Sequence, residues 1–223
     1  MRRSVQVVKL PRPRHESAAA LIPPRPTLSS LRAAASKCKA CDLWKTGTQT
    51  VFGQGPSNAK IVFVGEQPGD REDRTGRPFV GPAGMLLDRA LEAAGLDRSR
   101  VYVTNAVKHF KWEPRGKRRI HKKPRVSEIE ACKPWLVEEL AVVKPQLVVR
   151  LGATAAQALL GKNFSVMKQR GELLESPLAP RVMATVHPSS LLRITDEKDR
   201  HLQMEGFIQD LRKALQFIRK AAA

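Results

Sequence analysis

The residues best suited to chemistry fall in a few short stretches. GEQPGD (65–70) holds Glu66, Gln67 and Asp70; NAVKHF (105–110) holds Asn105 and His109; GKRRIH (116–121) ends at His121; HPSSLLR (187–193) holds His187, Ser189, Ser190 and Arg193. A carboxylate where a strand opens into a loop suits acid, base or electrostatic work, although GEQPGD also reads as a tight strand-to-helix turn. It lacks both the Gly-Lys-Ser/Thr of a phosphate loop and the spacing of a dinucleotide fingerprint. Asn105 lies in an otherwise apolar run, where an unpartnered amide costs roughly 1–3 kcal/mol. It can pin a neighbouring loop, or set a donor and an acceptor side by side against the edge of a nucleobase. His187 can donate to a developing oxyanion, and Ser189 and Ser190 can hold a phosphate, but a His-Pro pair is also a common turn. Phe79, in the glycine-rich loop GRPFVG, is either a core anchor or a stacking face for an extruded base. Lys117, Arg118 and Arg119 precede His121, and composition alone makes this a phosphate-gripping loop with an incidental histidine.

Cys38-x-x-Cys41 has the spacing of metal ligands, and Cys132 completes an odd set of three. An odd count with no expected export signal argues against a disulfide framework. A redox pair would be expected near a βαβ unit, whereas this pair follows a helix-like alanine-rich stretch.

Four short β-branched runs are expected to position these residues as buried parallel strands: IVFVG (61–65), VYVTNAV (101–107), LVVRLG (147–152) and VMATV (182–186). Helical patterns lie between and after them, at 81–96, 127–143, 152–161 and 206–221, with Ser127 and Glu130 in capping-box register at the second. Strand alternating with helix predicts a single α/β domain whose central sheet is mainly parallel, with about four strands flanked by helices. Ligands of such sheets bind beyond the carboxyl ends of the strands, which is where the polar stretches fall. Residues 1–26 are rich in Arg and Pro and read as a disordered basic arm, leaving 27–223 as the folded domain.

The net charge is +19, and two segments carry most of it: 1–37 with eight Lys/Arg against one Glu, and 108–125 with nine against one. Such concentration on a near-neutral body points to a polyanion, most simply nucleic acid. No run approaches the ~20 apolar residues of a membrane span, and the N-terminus has no apolar secretory core. A cytoplasmic, nucleoid-associated protein is expected.

GEQPGD, GRPFVGPAG, TNAVKHF, HPSSLLR and the CxxC pair occur in the order found in the uracil-DNA glycosylase superfamily, and together they resemble its iron–sulfur branch close to family 4. The loop KRRIH (117–121) resembles the signature of the UdgX group. The resemblance covers about residues 28–220 and implies excision of uracil from DNA; single-stranded DNA as partner and a monomer are expected. The resemblance also implies a [4Fe–4S] cluster on Cys38, Cys41 and Cys132, with His109 where family 4 has a fourth cysteine; Cys₃His equally suits zinc. Asn105 would read the uracil edge, Phe79 would stack on the base, and Gln67 (through its backbone amide) and His187 would hold the uracil oxygens. Glu66 and Asp70 would handle water or orient the nucleophile, and Ser189, Ser190 and Arg193 would follow the phosphates. In the UdgX group the histidine ending the loop attacks C1′ in place of water and leaves the protein joined to DNA, the part that falls to His121. Lys117, Arg118 and Arg119 would grip the flanking phosphates. An ordinary turnover glycosylase, with water placed by Glu66 or Asp70, is the alternative.

Overall fold

The computed structural model describes residues 17–152 and 169–221. Its centre is a five-stranded sheet in the order β2-β1-β5-β7-β6, built from β1 (Ile61–Gly65), β2 (Tyr102–Asn105), β5 (Leu147–Leu151), β6 (Leu174–Ser176) and β7 (Ala179–Thr185). The four apolar runs form its parallel part, in register Val62 to Tyr102, Val62 to Val148 and Val148 to Val182. β1 and β5 are buried along their whole length, as continuous apolar strands covered on both faces must be. β6 adds an antiparallel edge with an irregular register; three residues of LES carry too little alternation to be read as a strand in advance.

Helices cover both faces: α1 (Leu28–Ala35), α2 (Asp70–Thr75), α3 (Pro82–Ala94), α4 (Val126–Val143), the single turn α5 (Pro188–Leu191) and α6 (Glu197–Lys220). Leu86, Leu87, Ala90, Leu91 and Ala94 of α3 pack with Phe207, Leu211 and Ala214 of α6 over one face of the sheet. On the other face, Leu136, Leu140 and Val143 of α4 cover Val62, Val64, Tyr102 and Val148. α4 starts at Val126, and Glu128, rather than Glu130, reaches back to accept the Arg125 N–H at 2.6 Å. α6 begins nine residues before the expected start at Gly206, capped by Asp196; its first turns are polar and carry no apolar stripe to announce them. Order also begins before Thr27: Ser17 caps a 3₁₀ turn at Ala18–Leu21, and Ala18 is fully buried beside Leu31 and Trp135. That corrects the boundary of the basic arm for residues 17–26. Residues 1–16, and the helix expected at 152–161 beyond Gly152, lie outside the described residues.

A second, two-stranded sheet was not anticipated. β3 (Trp112–Arg115) pairs antiparallel with β4 (Arg118–His121), so the basic loop is a hairpin whose tip is Gly116–Lys117. Gly116 has φ +58°, a conformation glycine adopts at little cost. A two-residue connection opening on Gly was the available signal, hidden because charged residues fill both strands.

Candidate active site

A cleft of about 830 Å³ opens at the carboxyl ends of β1, β2, β5 and β7, lined by Glu66, Gln67, Asp70, Phe79, Asn105, His121, His187, Ser189, Ser190 and Arg193 among others. The strand-end stretches therefore meet as sheet topology requires. Asn105, the last residue of β2, is 3 % exposed. Gly65 beside it has no room for a side chain: a Cβ there would stand 2.3 Å from Asn105 Oδ1 and 2.8 Å from Phe79 Cζ. The floor is thus an amide edge and an aromatic ring brought together across a glycine. Phe79 is buried and holds φ +56°, an unusual conformation for a bulky residue and the kind of backbone strain that gathers at ligand sites. Its ring lies 6.4 Å from that of His187.

His187 caps α5: its Nδ1 accepts the Ser189 N–H at 3.1 Å and lies 2.8 Å from Ser189 Oγ. Since a backbone N–H can only donate, the neutral ring carries its proton on Nε2. Burial, with His121 and Arg193 adding to it, pushes the His187 pKa down to about 4, so near neutral pH the residue is an uncharged N–H donor. Ser190 Oγ donates to the His187 carbonyl at 2.7 Å. Both serines line the cleft, and in this structure their hydroxyls serve the His187 turn.

His121 ends β4, half-exposed, with Nε2 3.7 Å from Glu66 Oε1. Its pKa is lowered by burial and by Arg193, against the pull of Glu66. β4 alternates sides, placing Arg119 and His121 on one face. Arg119 does not point outward toward phosphates. Its guanidinium bonds the Asp70 carboxylate and, at 2.7 Å, Asp73 Oδ2, and lies 5.5 Å from the Phe110 ring centre and 5.4 Å from that of Trp112. Arg119, expected to grip phosphate, is held here by two carboxylates of α2. Lys117 and Arg118 are exposed at the tip. Asp70 lines the cleft with its carboxylate held by Arg74 and Arg119; these outweigh the upward push of desolvation and keep its pKa low. Gln67 ties the hairpin's base: Nε2 donates to the carbonyls of Lys111 and Lys122, and Oε1 accepts the Lys111 N–H at 3.0 Å. Sequence reasoning missed Glu72 and Asp73. Glu72, 8 % exposed, lines the cleft and accepts the Gly81 N–H at 2.7 Å. Asp73, fully buried, accepts Thr48 Oγ1 at 2.6 Å as well as Arg119.

Behind this site Cys38, Cys41 and Cys132 are free, buried thiols in one apolar cluster. Burial raises the Cys41 pKa to about 11 and that of Cys132 to about 12. Two N–H groups address sulfur: Trp135 Nε1 to Cys38 Sγ at 3.3 Å and the Lys108 backbone to Cys132 Sγ at 3.2 Å. His109 is buried, with Nε2 3.2 Å from Thr50 Oγ1. Thr50 already donates its hydroxyl proton to the Ala35 carbonyl, so it accepts from His109 Nε2–H and leaves the Nδ1 lone pair open. Among the described residues no three His, Cys, Asp or Glu side chains form a group able to hold a metal ion.

The sequence model describing the uracil DNA glycosylase superfamily matches residues 52–212, the stretch that builds the sheet and the cleft. The chain belongs to the uracil-DNA glycosylase superfamily. The type-4 uracil-DNA glycosylase of Thermotoga maritima is 40% identical over 185 residues, covering 82% of this chain and 91% of that protein. A type-4 uracil-DNA glycosylase of Sulfurisphaera tokodaii is 37% identical over 74% of this chain and 76% of its own. A type-5 enzyme of Pyrobaculum aerophilum is 33% identical over 74% and 77%. Within the superfamily the chain thus lies close to the type-4 enzymes, and no helix among its described residues is long and apolar enough to cross a membrane.

Proposed function

We propose that this superfamily member excises uracil from DNA and that His121 then captures the sugar, leaving protein and DNA covalently joined. The observation that carries the reading is the placement of His121 beside Glu66, at 3.7 Å, on the cleft that also holds Asn105 and His187. Asn105 pairs with the uracil edge and Phe79 stacks on the ring. The C1′–N1 bond breaks with its electron pair going to uracil, and His187 Nε2–H donates to the O2 of the leaving anion. A neutral donor is apt here, because it stabilises the anion without first needing a proton from water. The lone pair of His121 then forms the N–C1′ bond on the oxocarbenium-like sugar, and the proton released from the ring passes to Glu66.

Cys38, Cys41, Cys132 and His109 would hold a [4Fe–4S] cluster. The sulfur-directed N–H groups and the open Nδ1 of His109 suit such a centre. The same Cys₃His set also suits one zinc ion; the similarity to type-4 enzymes supports the cluster. The cluster would supply scaffolding, since glycosidic cleavage moves no electrons.

Similarity to type-4 enzymes favours a second reading, turnover with a water placed by Glu66 or Asp70. Mixing the protein with a uracil-containing oligonucleotide and running a denaturing gel separates the two. Capture gives a heat-stable band whose mass is that of protein plus oligonucleotide less uracil. Turnover gives a free abasic strand. His121→Ser is expected to remove the band and still release uracil, because Asn105, Phe79 and His187, which would hold the base, are left in place; a persistent crosslink mapped elsewhere would sink His121 as nucleophile.

A further inference from the structure

Directly behind Asn105 lies a charged network with no access to solvent. The side chains of Lys108 and Glu139 are 1% and 0% exposed. Lys108 Nζ bonds Glu139 Oε2, Thr104 Oγ1 at 2.7 Å and the Asn105 carbonyl at 2.8 Å, which uses all three ammonium donors. Glu139 Oε1 in turn accepts the Gly53 N–H at 3.0 Å and the Tyr102 hydroxyl at 2.9 Å. Stability alone gives little reason for such a pair, since apolar side chains of like volume often serve as well. Its location offers another. β2 is the edge strand of the sheet, and the bridge from Gln54 pairs with it at Val103. Two residues on, at Asn105, the peptide carbonyl is taken by the ammonium.

We propose that Lys108 is a positioning residue for base recognition. By holding the Asn105 carbonyl it fixes the rotation of that peptide, and with it the aim of the Asn105 amide into the cleft. The inference rests on the reading of Asn105 as the group that pairs with uracil.

A double-mutant cycle on single-turnover uracil release tests it, with crosslinked and free abasic strands counted together. Lys108→Met is combined with Glu139→Gln so that no unpaired carboxylate is buried, and this pair is made with Asn105 intact and with Asn105→Ala. With Asn105 intact, release is expected to fall roughly tenfold to a hundredfold, as misplacement of a recognition group does, while affinity for thymine-only DNA is unchanged. In the Asn105→Ala background the pair should slow the residual release no further. Equal slowing in both backgrounds, or none with Asn105 intact, overturns the role of Lys108 and leaves the Asn105 reading standing. Wild-type release by Asn105→Ala alone overturns both. If the Met/Gln pair does not fold, Lys108→Leu with Glu139→Gln, which likewise removes the donor to the Asn105 carbonyl, completes the same cycle and is judged by the same outcomes.

Discussion

Two histidines face one cleft with different work, and their surroundings separate them. His187 has its Nδ1 occupied by Ser189 and a pKa near 4, so it can only donate from Nε2 at neutral pH. His121 is half-exposed, next to a carboxylate, with its pKa lowered by burial and by Arg193; in the proposed capture it attacks only in its neutral form. Lowering the pH protonates the ring and removes the lone pair, and the downward shift delays that loss. Crosslinking should therefore be flat through neutrality and decline only below the ordinary imidazole value of about 6.5, as followed by band intensity against pH in single-turnover gels. A decline that begins well above that value would contradict the shift. Gly65 makes a separate prediction. Its missing Cβ is what allows Asn105 and Phe79 to meet, so Gly65→Ala should cost about 1–3 kcal/mol in stability, as overpacking does. It should also suppress uracil release far more than that loss explains, read as release rate beside melting temperature.

At the scale of elements, the hairpin that carries the proposed nucleophile is held from its base and its middle. Gln67 bonds both Lys111 and Lys122, Trp112 Nε1 donates to the Thr46 carbonyl at 2.9 Å, and Arg119 sits between Asp70 and Asp73. Arg119→Gln should cost about 1–3 kcal/mol, because buried Asp73 loses its cation. It should also shift product from crosslink toward free abasic strand, since the strand that aims His121 loosens while Asn105, Phe79 and His187 stay in place; an unchanged ratio would show that the anchor does not aim the histidine. The hairpin also marks where the sequence became hard to read. The parallel strands were legible because β-branched runs such as IVFVG permit little else, and their topology gathered the site residues without further information. β3 and β4 were not, because WEPR and RRIH follow no apolar alternation; they are held by side chains of α2 and of the 46–50 segment that are remote in sequence. The same remoteness hid Asp73 and Glu72, which look like ordinary charges on DREDRT. On α4, Glu128, Cys132, Trp135 and Glu139 form one helical stripe, each with a partner outside the helix (Lys111, the Lys108 backbone, Cys38 and the Lys108 ammonium). The sequence pattern announced a helix here, whereas the burial of this face and its partners are set by the tertiary fold.

At the scale of the whole molecule, net charge overstates what DNA meets. Of the nine cations in 108–125, Lys108 and Lys111 are paired with buried Glu139 and Glu128, and Arg119 is held by Asp70 and Asp73. Arg115, Lys117, Arg118, Lys122, Lys123 and Arg125 remain exposed, and Lys122 among them pairs with Glu113. Phosphate contacts release condensed counterions, so each one lost flattens log Kobs against log[salt] by roughly 0.7–0.9. Lys117→Gln with Arg118→Gln, at the hairpin tip, should flatten the slope by about 1.4–1.8 if both side chains reach phosphates. The change should be equal for uracil-containing and thymine-only oligonucleotides, because backbone contacts carry no base information. With the oligonucleotide saturating, the yield of crosslink should not change, since neither side chain belongs to the anchor that holds His121. Fluorescence anisotropy titrations across a salt series measure the slope, and a denaturing gel of the same samples measures the yield. A slope that does not move would place the phosphate-binding surface elsewhere on the molecule. A slope that moves for uracil DNA alone would instead tie the tip to the extruded base, making the hairpin part of recognition rather than of general attraction.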